Sequence, residues 1–382
     1  MSNRVVVLGV GVTKFEREPT KRMDTMAREA ALMALKDAEI TYGDVQMGFV
    51  GNVYQPGMAP LVFYTLAKTG IPITRIDIAC ASGTRSAEFA AYLIEAGAYD
   101  TIMVVGVERM PKGMVPMPID PEALSMRNEM LYQGIVGLIT MPGAYAHKAV
   151  RYMHLYGAKP EHFAQVSVKN HKNACLNPNA MYQSEMSLEE VLSSRMVSYP
   201  LTLYQCCANS SGAAAVVLCS EKKARQYTNN PVFLTGWGEA SIKFKHDDPV
   251  ESTLSEGDTE GAAKKAYERA GIGPEDVNLA QVHDAFTSGE IVLLEELGLC
   301  PKGEGAIYTW EGKTEIGGKI PVNTDGGLLG CGHPLGATGC RMIAETYWQL
   351  NGQAGRRQVE NAKIGIVQNS GLGGTNVMVF QT

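Results

Sequence analysis

The chain has 382 residues, 45% of them hydrophobic, enough to bury one large core or two fused ones. A formal net charge of −6 and a pI near 5.7 leave no electrostatic footprint for nucleic acid, and no Lys/Arg block is long enough to hold a membrane surface. No stretch reaches the roughly 18 apolar residues of a membrane span, and the eight cysteines are scattered without the spacing of a zinc site, so a cytoplasmic, reduced, metal-free protein is expected.

The opening run "RVVVLGVG" is short and broken by glycines, which reads as a buried strand rather than a signal peptide. Helical spacing follows in "DTMAREAALMALKDAEI", then strands in "MGFVGNVY" and "RIDIAC", a helix in "GTRSAEFAAYLIEAGAY" and a strand in "TIMVVGVE". The segment from about 111 to 205 breaks this rhythm with prolines, glycines and mixed helical pieces. It is too long for a plain connection and is expected to be a lid-like insertion over a site. The alternation then resumes: "NPVFLTGWGEA" as strand, "EGAAKKAYERAGI" as helix, "LAQVHDAF" as strand, "GATGCRMIAETYWQL" as helix, and a final "KIGIVQNSGLGGTNVMVFQ". Strands alternating with helices predict an α/β layer structure. An offset of 232 positions sets Ala38 on Ala270, Ile40 on Ile272, Asp44 on Asp276 and Val45 on Val277, at the same helix-to-strand joint each time. Two pseudo-symmetric halves, about 1 to 222 and 223 to 382, are the expected organisation.

Four places carry residues suited to chemistry. Cys80 ends the run "IDIA" and precedes "ASG" at a helix start, where backbone N–H groups favour a thiolate; a buried inert thiol is the plainer alternative. His333 lies in the glycine-rich turn "NTDGGLLGCGHPLGATG" before a helix. His283, in "QVHDAFTSGE", falls at the C-terminal end of an apolar strand, where ligands of open α/β sheets collect, and the 232 offset sets it on Gly51. The bend "QNSGLGGTN", residues 368 to 376, is followed by the strand "VMVFQ" instead of a helix, so its N–H groups suit an oxyanion better than a nucleotide phosphate. A cysteine at a helix start, two histidines and such a bend form the set that acyl transfer through a thioester needs.

These residues resemble those of the thiolase family over almost the whole chain: "ACASG", "HDAF", "NTDGGLLGCGHPLGATG" and "NSGLGG" occur in the family's order and spacing. The sterol-carrier-protein type, with His-Asp-Cys-Phe where other thiolases have Asn-Glu-Ala-Phe, is the most similar group, and "VKNHKNACLNPNA" and "YPLTLYQCCANSSGAAAVVL" also resemble it. The resemblance implies two five-stranded sheets in a five-layer α-β-α-β-α arrangement with an inserted loop domain. It implies an acyl-CoA:acyl-CoA C-acyltransferase with coenzyme A as substrate and no covalently bound cofactor. Cys80 would be the acylated nucleophile and His333 its base, His333 and His283 would form the enolate's oxyanion hole, and the N–H of Cys80 with that of Ser370 or Gly371 would hold the tetrahedral intermediate. A homodimer core, coenzyme A bound by the insertion, and a small zinc-binding OB-fold partner are further implications.

The chain departs from the family at its second cysteine, which moves the α-proton. The final bend reads "QNSGLGG" and the His-Asp-Cys-Phe position is Ala285, so neither cysteine is present. Cys331 is one candidate replacement, although neighbours of His333 in a turn point apart; a water held by His283 is the preferred one. A nucleophile without its second cysteine, and seven methionines between residues 103 and 141, suit an unusual or bulky acyl group in a roomy apolar pocket, as in the benzoylsuccinyl-CoA thiolases. Competing expectations are a steroid side-chain retro-aldolase, against which Cys80 argues, a C-acyltransferase independent of free coenzyme A, and a non-catalytic scaffold subunit.

Overall fold

The structure is a computed structural model describing residues 3–113, 140–241, 258–372 and 374–382. The first apolar run becomes β1 (Val5–Val12), with every residue buried, as a strand covered on both faces requires. In the same sheet lie β2 (Met47–Gly51), β3 (Ile73–Ile76) and β4 (Thr101–Glu108). A small hairpin, β5 (Met196–Ser198) with β6 (Leu201–Thr202), stands apart. The large sheet resumes with β7 (Gly212–Ser220), β8 (Val232–Ala240), β9 (Leu279–Gln281), β10 (Ile364–Gly371) and β11 (Gly374–Gln381).

The strand order is β3-β2-β4-β7-β1-β8-β11-β10-β9. Read outward from its centre, the pairings repeat. β1–β7 and β8–β11 are antiparallel, β7–β4 and β11–β10 are antiparallel, and β4–β2 and β10–β9 are parallel. Where the counterpart of β3 would lie beside β9, a single parallel bridge joins Ala280 to Val322. The expectation of two five-stranded sheets is corrected in this detail. Val5–Val7 of β1 pair with Val232–Leu234 of β8, which fuses five and four strands into one nine-stranded sheet.

The helices are α1 (Met23–Asp37), α2 (Met58–Tyr64), α3 (Ser82–Glu95), α4 (Met141–Tyr156), α5 (Pro160–Ala174), α6 (Leu188–Ser193), α7 (Glu221–Ala224), α8 (Thr259–Ala270), α9 (Thr287–Glu296), α10 (Gly305–Trp310), α11 (Gly327–Cys331) and α12 (Leu335–Leu350). Helix α1 buries Met23, Met26, Ala27, Ala30, Ala31, Ala34 and Leu35, an i, i+3, i+4 stripe facing the sheet, and α8 does the same against β8 and β11. Helices α3 and α12 pack against each other in the middle, and α12 touches β4 and β7 on one side and β10 on the other. The layers are therefore α-β-α-β-α, with α12 buried nearly all round. Its charges are paired inside: Arg341 with Asp325, and Glu345 with Arg357.

Residues 140–205 form a packed layer and not a free flap. Helix α5 lies on α9, α10 and α11, and buried polar groups rivet it there. Lys169 pairs with Glu290 at 2.9 Å and donates to the Val322 carbonyl, while Asn170 donates to Asp284 and Glu290. Asn173 and Asn177 donate to the carbonyls of Asn323 and Asp325. A buried ion pair breaks only at high cost, which makes this stretch a rigid support for the loop before His333. The remainder of the expected insertion, with Met114, Met117, Met126 and Met130, lies outside the described residues.

Candidate active site

Beyond β3 the chain turns through Asp77–Ala81 into α3, and the turn is held by side chains. Ala79 sits in the left-handed region at φ 56°, a conformation costly for a residue with a Cβ. It is bracketed by Asp77, which accepts from its N–H at 3.1 Å, and by Ser82, whose hydroxyl donates to its carbonyl at 2.6 Å and accepts from Ile78 N–H. Asn369 of β10 donates to the Cys80 carbonyl at 3.1 Å. Gly371, the last residue of β10, is pressed on the same turn: a Cβ there would stand 2.0 Å from the Ile78 carbonyl oxygen. Cys80 is half-buried against Val53, Tyr54, Met110 and Leu335.

The loop ahead of α12 presents His333. Its Nδ1 lies 2.8 Å from the Thr338 hydroxyl, which itself donates to the Pro334 carbonyl, so Nδ1 is the protonated nitrogen. Its Nε2 is buried without a hydrogen-bond partner among the described residues. Gly332, at φ 90°, passes so close to Ser210 that a Cβ would reach 2.4 Å from its hydroxyl. His283 follows β9, and its ring meets that of His333 at 5.2 Å between centroids, nearly edge-on. The Cys80 sulfur and a ring nitrogen from each histidine lie within 4.8 Å of one another.

Burial keeps both imidazoles neutral. It pulls the His283 pKa down to about 4, with Asn369 opposing and the Lys148 and Arg341 charges assisting, and it holds His333 well below its ordinary value, helped by His283 and Arg341. Neutral rings beside a thiol can accept its proton. The same three donors have a spacing that a soft divalent cation could use, although the sequence reading expects no metal.

Two carboxylates that sequence reasoning did not single out fasten these loops. Asp284, pushed up to about 7 by burial and by Glu290, accepts from the N–H groups of Leu328 and Leu329. Glu108, also raised to about 7 by burial, accepts from Val53, Tyr54 and, at the start of α12, Gly336. The available signal was a carboxylate at the end of an apolar strand run. Ser370 and Gly371 belong to β10, which continues past "IGIV" to Gly371, so the expected bend shrinks to the link into β11. Because β9 pairs only with Gly365–Val367, the β9 side of residues 368–371 has no strand partner among the described residues. Cys331 does not join the triad: its thiol donates to the Asp325 carbonyl at 3.1 Å and meets the Asn177 amide. Of the seven methionines, Met110 packs beside Cys80, Met103 is buried within β4, and Met141 is exposed at the start of α4.

Residues 5–222 match the family description "Thiolase, N-terminal domain" and residues 244–380 match "Thiolase C-terminal domain-like". An acetyl-CoA acetyltransferase of Methanothermobacter thermautotrophicus is 39% identical over 378 residues, covering 97% of each chain. Benzoylsuccinyl-CoA thiolase subunit BbsB of Thauera aromatica is 38% identical, covering 94% of this chain and 92% of its own. Sterol carrier protein 2 of Homo sapiens is 36% identical over 99% of this chain and 71% of its own length. The solved structure "Ltp2-ChsH2(DUF35) aldolase" superimposes with a TM-score of 0.88 at 26% identity, over 99% of this chain and 98% of that one. Two family domains matched over nearly the whole chain, and relatives more than 35% identical over that length, show what it is: the chain belongs to the thiolase family and is a thiolase-type acyltransferase that takes coenzyme A as a substrate.

Proposed function

We propose that this acyltransferase cleaves a β-ketoacyl-CoA with coenzyme A, or runs the reverse Claisen condensation, through an acyl thioester on Cys80. The observation that carries this reading is the meeting of the Cys80 sulfur and two neutral imidazole nitrogens within 4.8 Å. His333, with Nδ1–H committed to Thr338, offers Nε2 to take the thiol proton. The N–H of Cys80 with that of Ser370 or Gly371 holds the tetrahedral oxyanion, on the side of β10 that lacks a strand partner among the described residues. His333 and His283 together stabilise the enolate oxygen. In this reading residues 1–222 supply the nucleophile, residues 223–382 supply both histidines, and the insertion binds coenzyme A.

The acyl group we assign is an unusual or bulky one such as benzoylsuccinyl-CoA. Support comes from the 38% identity to the BbsB subunit and from the apolar lining of Val53, Met110 and Leu335 at Cys80. A cytoplasmic homodimer with a small zinc-binding OB-fold partner completes the proposal. BbsB is named as a subunit, and the Ltp2 structure pairs a chain of this shape with a DUF35 protein. No helix among the described residues is long and apolar enough to cross a membrane.

The aldolase named in that structure supplies the second reading, carbon–carbon cleavage without acylation of the protein. Intact-protein mass spectrometry separates the two. Wild type and Cys80→Ala are incubated with acetyl-CoA, acetoacetyl-CoA and benzoyl-CoA. An acyl adduct present in wild type and absent from the variant is expected. Absence of any adduct, also after addition of a DUF35-type partner, would leave only the aldolase or scaffold readings.

A further inference from the structure

Breaking a carbon–carbon bond beside a thioester leaves a carbanion that must be protonated. Burial favours the neutral form of His283 and His333, the one proton that His333 takes from Cys80 is the proton Cys80 recovers at the end of the cycle, and the Cys331 thiol is engaged by Asp325 and Asn177. Another thiol reaches this site from a strand-like segment that runs between the two histidine loops. An antiparallel bridge joins Cys206 to Phe286, the Cys207 N–H donates to the Ala285 carbonyl at 2.8 Å, and the Ala208 carbonyl accepts from the His333 N–H at 3.1 Å. Residues 207 and 208 are thereby tied to the backbone on both sides of the triad. Along this segment side chains alternate. Cys206 turns its thiol back to the Thr202 carbonyl at 3.4 Å, and Cys207 lies on the opposite side, within electrostatic reach of Cys80 and Asp284. The orphaned Nε2 of His333 and Nδ1 of His283, both on rings at least nine-tenths buried, mark the space between as a place for a ligand.

We propose that Cys207 is the proton-transfer group for the substrate α-carbon, standing in for the absent cysteine at position 285 from across the backbone pair; this rests on the thioester reading above. Cys207 is half-buried, and one residue from the Cys206–Phe286 bridge it stands opposite Ala285, so the two side chains share a face. Burial first, then the neighbouring Cys206, Cys80 and Asp284, raises its pKa well above the ordinary thiol value, so it enters the reaction protonated.

In thiolysis, His333 takes the Cys80 proton and the sulfur bonds to the keto carbon. Collapse breaks the carbon–carbon bond and leaves its electron pair on the departing enolate. The Cys207 S–H protonates that carbon and becomes a thiolate. Incoming coenzyme A gives its thiol proton to the Cys207 thiolate, its sulfur takes the acyl group, and the Cys80 thiolate recovers its proton from His333. Each thiol ends as it began.

The test uses the full chain with acetyl-CoA in D2O, following deuterium uptake into the acetyl methyl group and the acetyl adduct on Cys80 by mass spectrometry. For Cys207→Ala and Cys207→Ser we expect methyl exchange to fall about 100-fold or more while the Cys80 adduct still forms. Cys206→Ala keeps both. Exchange at the wild-type rate in Cys207→Ala overturns the proposal. So does joint loss of adduct and exchange, which marks a purely structural residue, and so does a wild type that acylates Cys80 without exchanging a methyl proton. A wild type that forms no adduct defeats the thioester reading itself, and the role of Cys207 with it.

Discussion

The approaches to the two central helices are built alike and filled differently. Cys80 stands two residues ahead of α3, which starts at Ser82, and His333 stands two residues ahead of α12, which starts at Leu335. Their supports cross over. At the end of β4, Glu108 accepts from Gly336 in the first turn of α12; at the end of its counterpart β10, Gly371 presses on the turn before α3 and Asn369 holds the Cys80 carbonyl. Each part of the sheet steadies the helix start of the other, and the packing of α3 on α12 brings the two side chains together. The N-terminal end of a helix favours an anion and disfavours a cation. At such a position the helix end would lower the cost of a thiolate or of a neutral imidazole, the states proposed for Cys80 and His333.

The largest test of this pairing is to empty one side at a time. Cys80→Ala removes the proposed nucleophile and should lower thiolysis of acetoacetyl-CoA by at least about 10³-fold. Turnover near the wild-type level would mean that the α3 side carries no chemistry. His333→Asn keeps a polar side chain of similar shape but removes the proposed base. The rate of Cys80 acylation, followed by rapid-quench mass spectrometry, should drop about 10²- to 10⁴-fold. A change in KM with unaltered acylation would assign His333 to binding alone.

A smaller effect distinguishes the two sides through pH. His283 titrates near 6.5 in an unfolded chain and near 4 in the folded one. As pH falls below about 6.5 the unfolded chain takes up a proton that the fold refuses, so this group favours folding above 6.5 and that contribution is lost as pH falls through 4. The whole change is roughly 3 kcal/mol at most. Urea midpoints between pH 7 and 4 should decline more steeply for wild type than for His283→Asn; parallel declines would show that the ring is not desolvated in the folded protein.

What could be read ahead of the structure was whatever left a local trace. Cys80, His283 and His333 sit where apolar runs stop and small residues begin, and those junctions are visible along the chain. The offset of 232 sets Gly51, the last residue of β2, on His283, two residues past the end of β9, and β2 and β9 stand at corresponding places in the two parts of the sheet, parallel to β4 and to β10. Cys207 and Cys331 show the limit. Both are thiols near a motif, and only the fold separates them, because one hydrogen-bonds inward to Asp325 while the other runs beside Ala285. Glu108 and Asn369 were equally hidden, since each acts on the opposite end of the sequence. The fusion of the sheets through three residues of β1 was hidden for the same reason: the residues that pair there are more than two hundred positions apart.

The crossed support can be tested by the smallest change of all, one methyl group. Gly371→Ala places a Cβ 2.0 Å from the Ile78 carbonyl oxygen and 3.1 Å from Ala81, both backbone-anchored, so the Cys80 turn must move. A stability loss of about 1 to 3 kcal/mol is expected for such overpacking. Ser370→Ala is the control, since that hydroxyl accepts from the Gln368 side chain at 2.8 Å and its removal adds no atom against the Cys80 turn. If β10 sets the position of the nucleophile, Gly371→Ala slows Cys80 acylation beyond what its stability loss accounts for, while Ser370→Ala does not. If the two variants acylate alike, the turn is fixed from its own side, by Asp77 and Ser82, and the supports are not crossed after all.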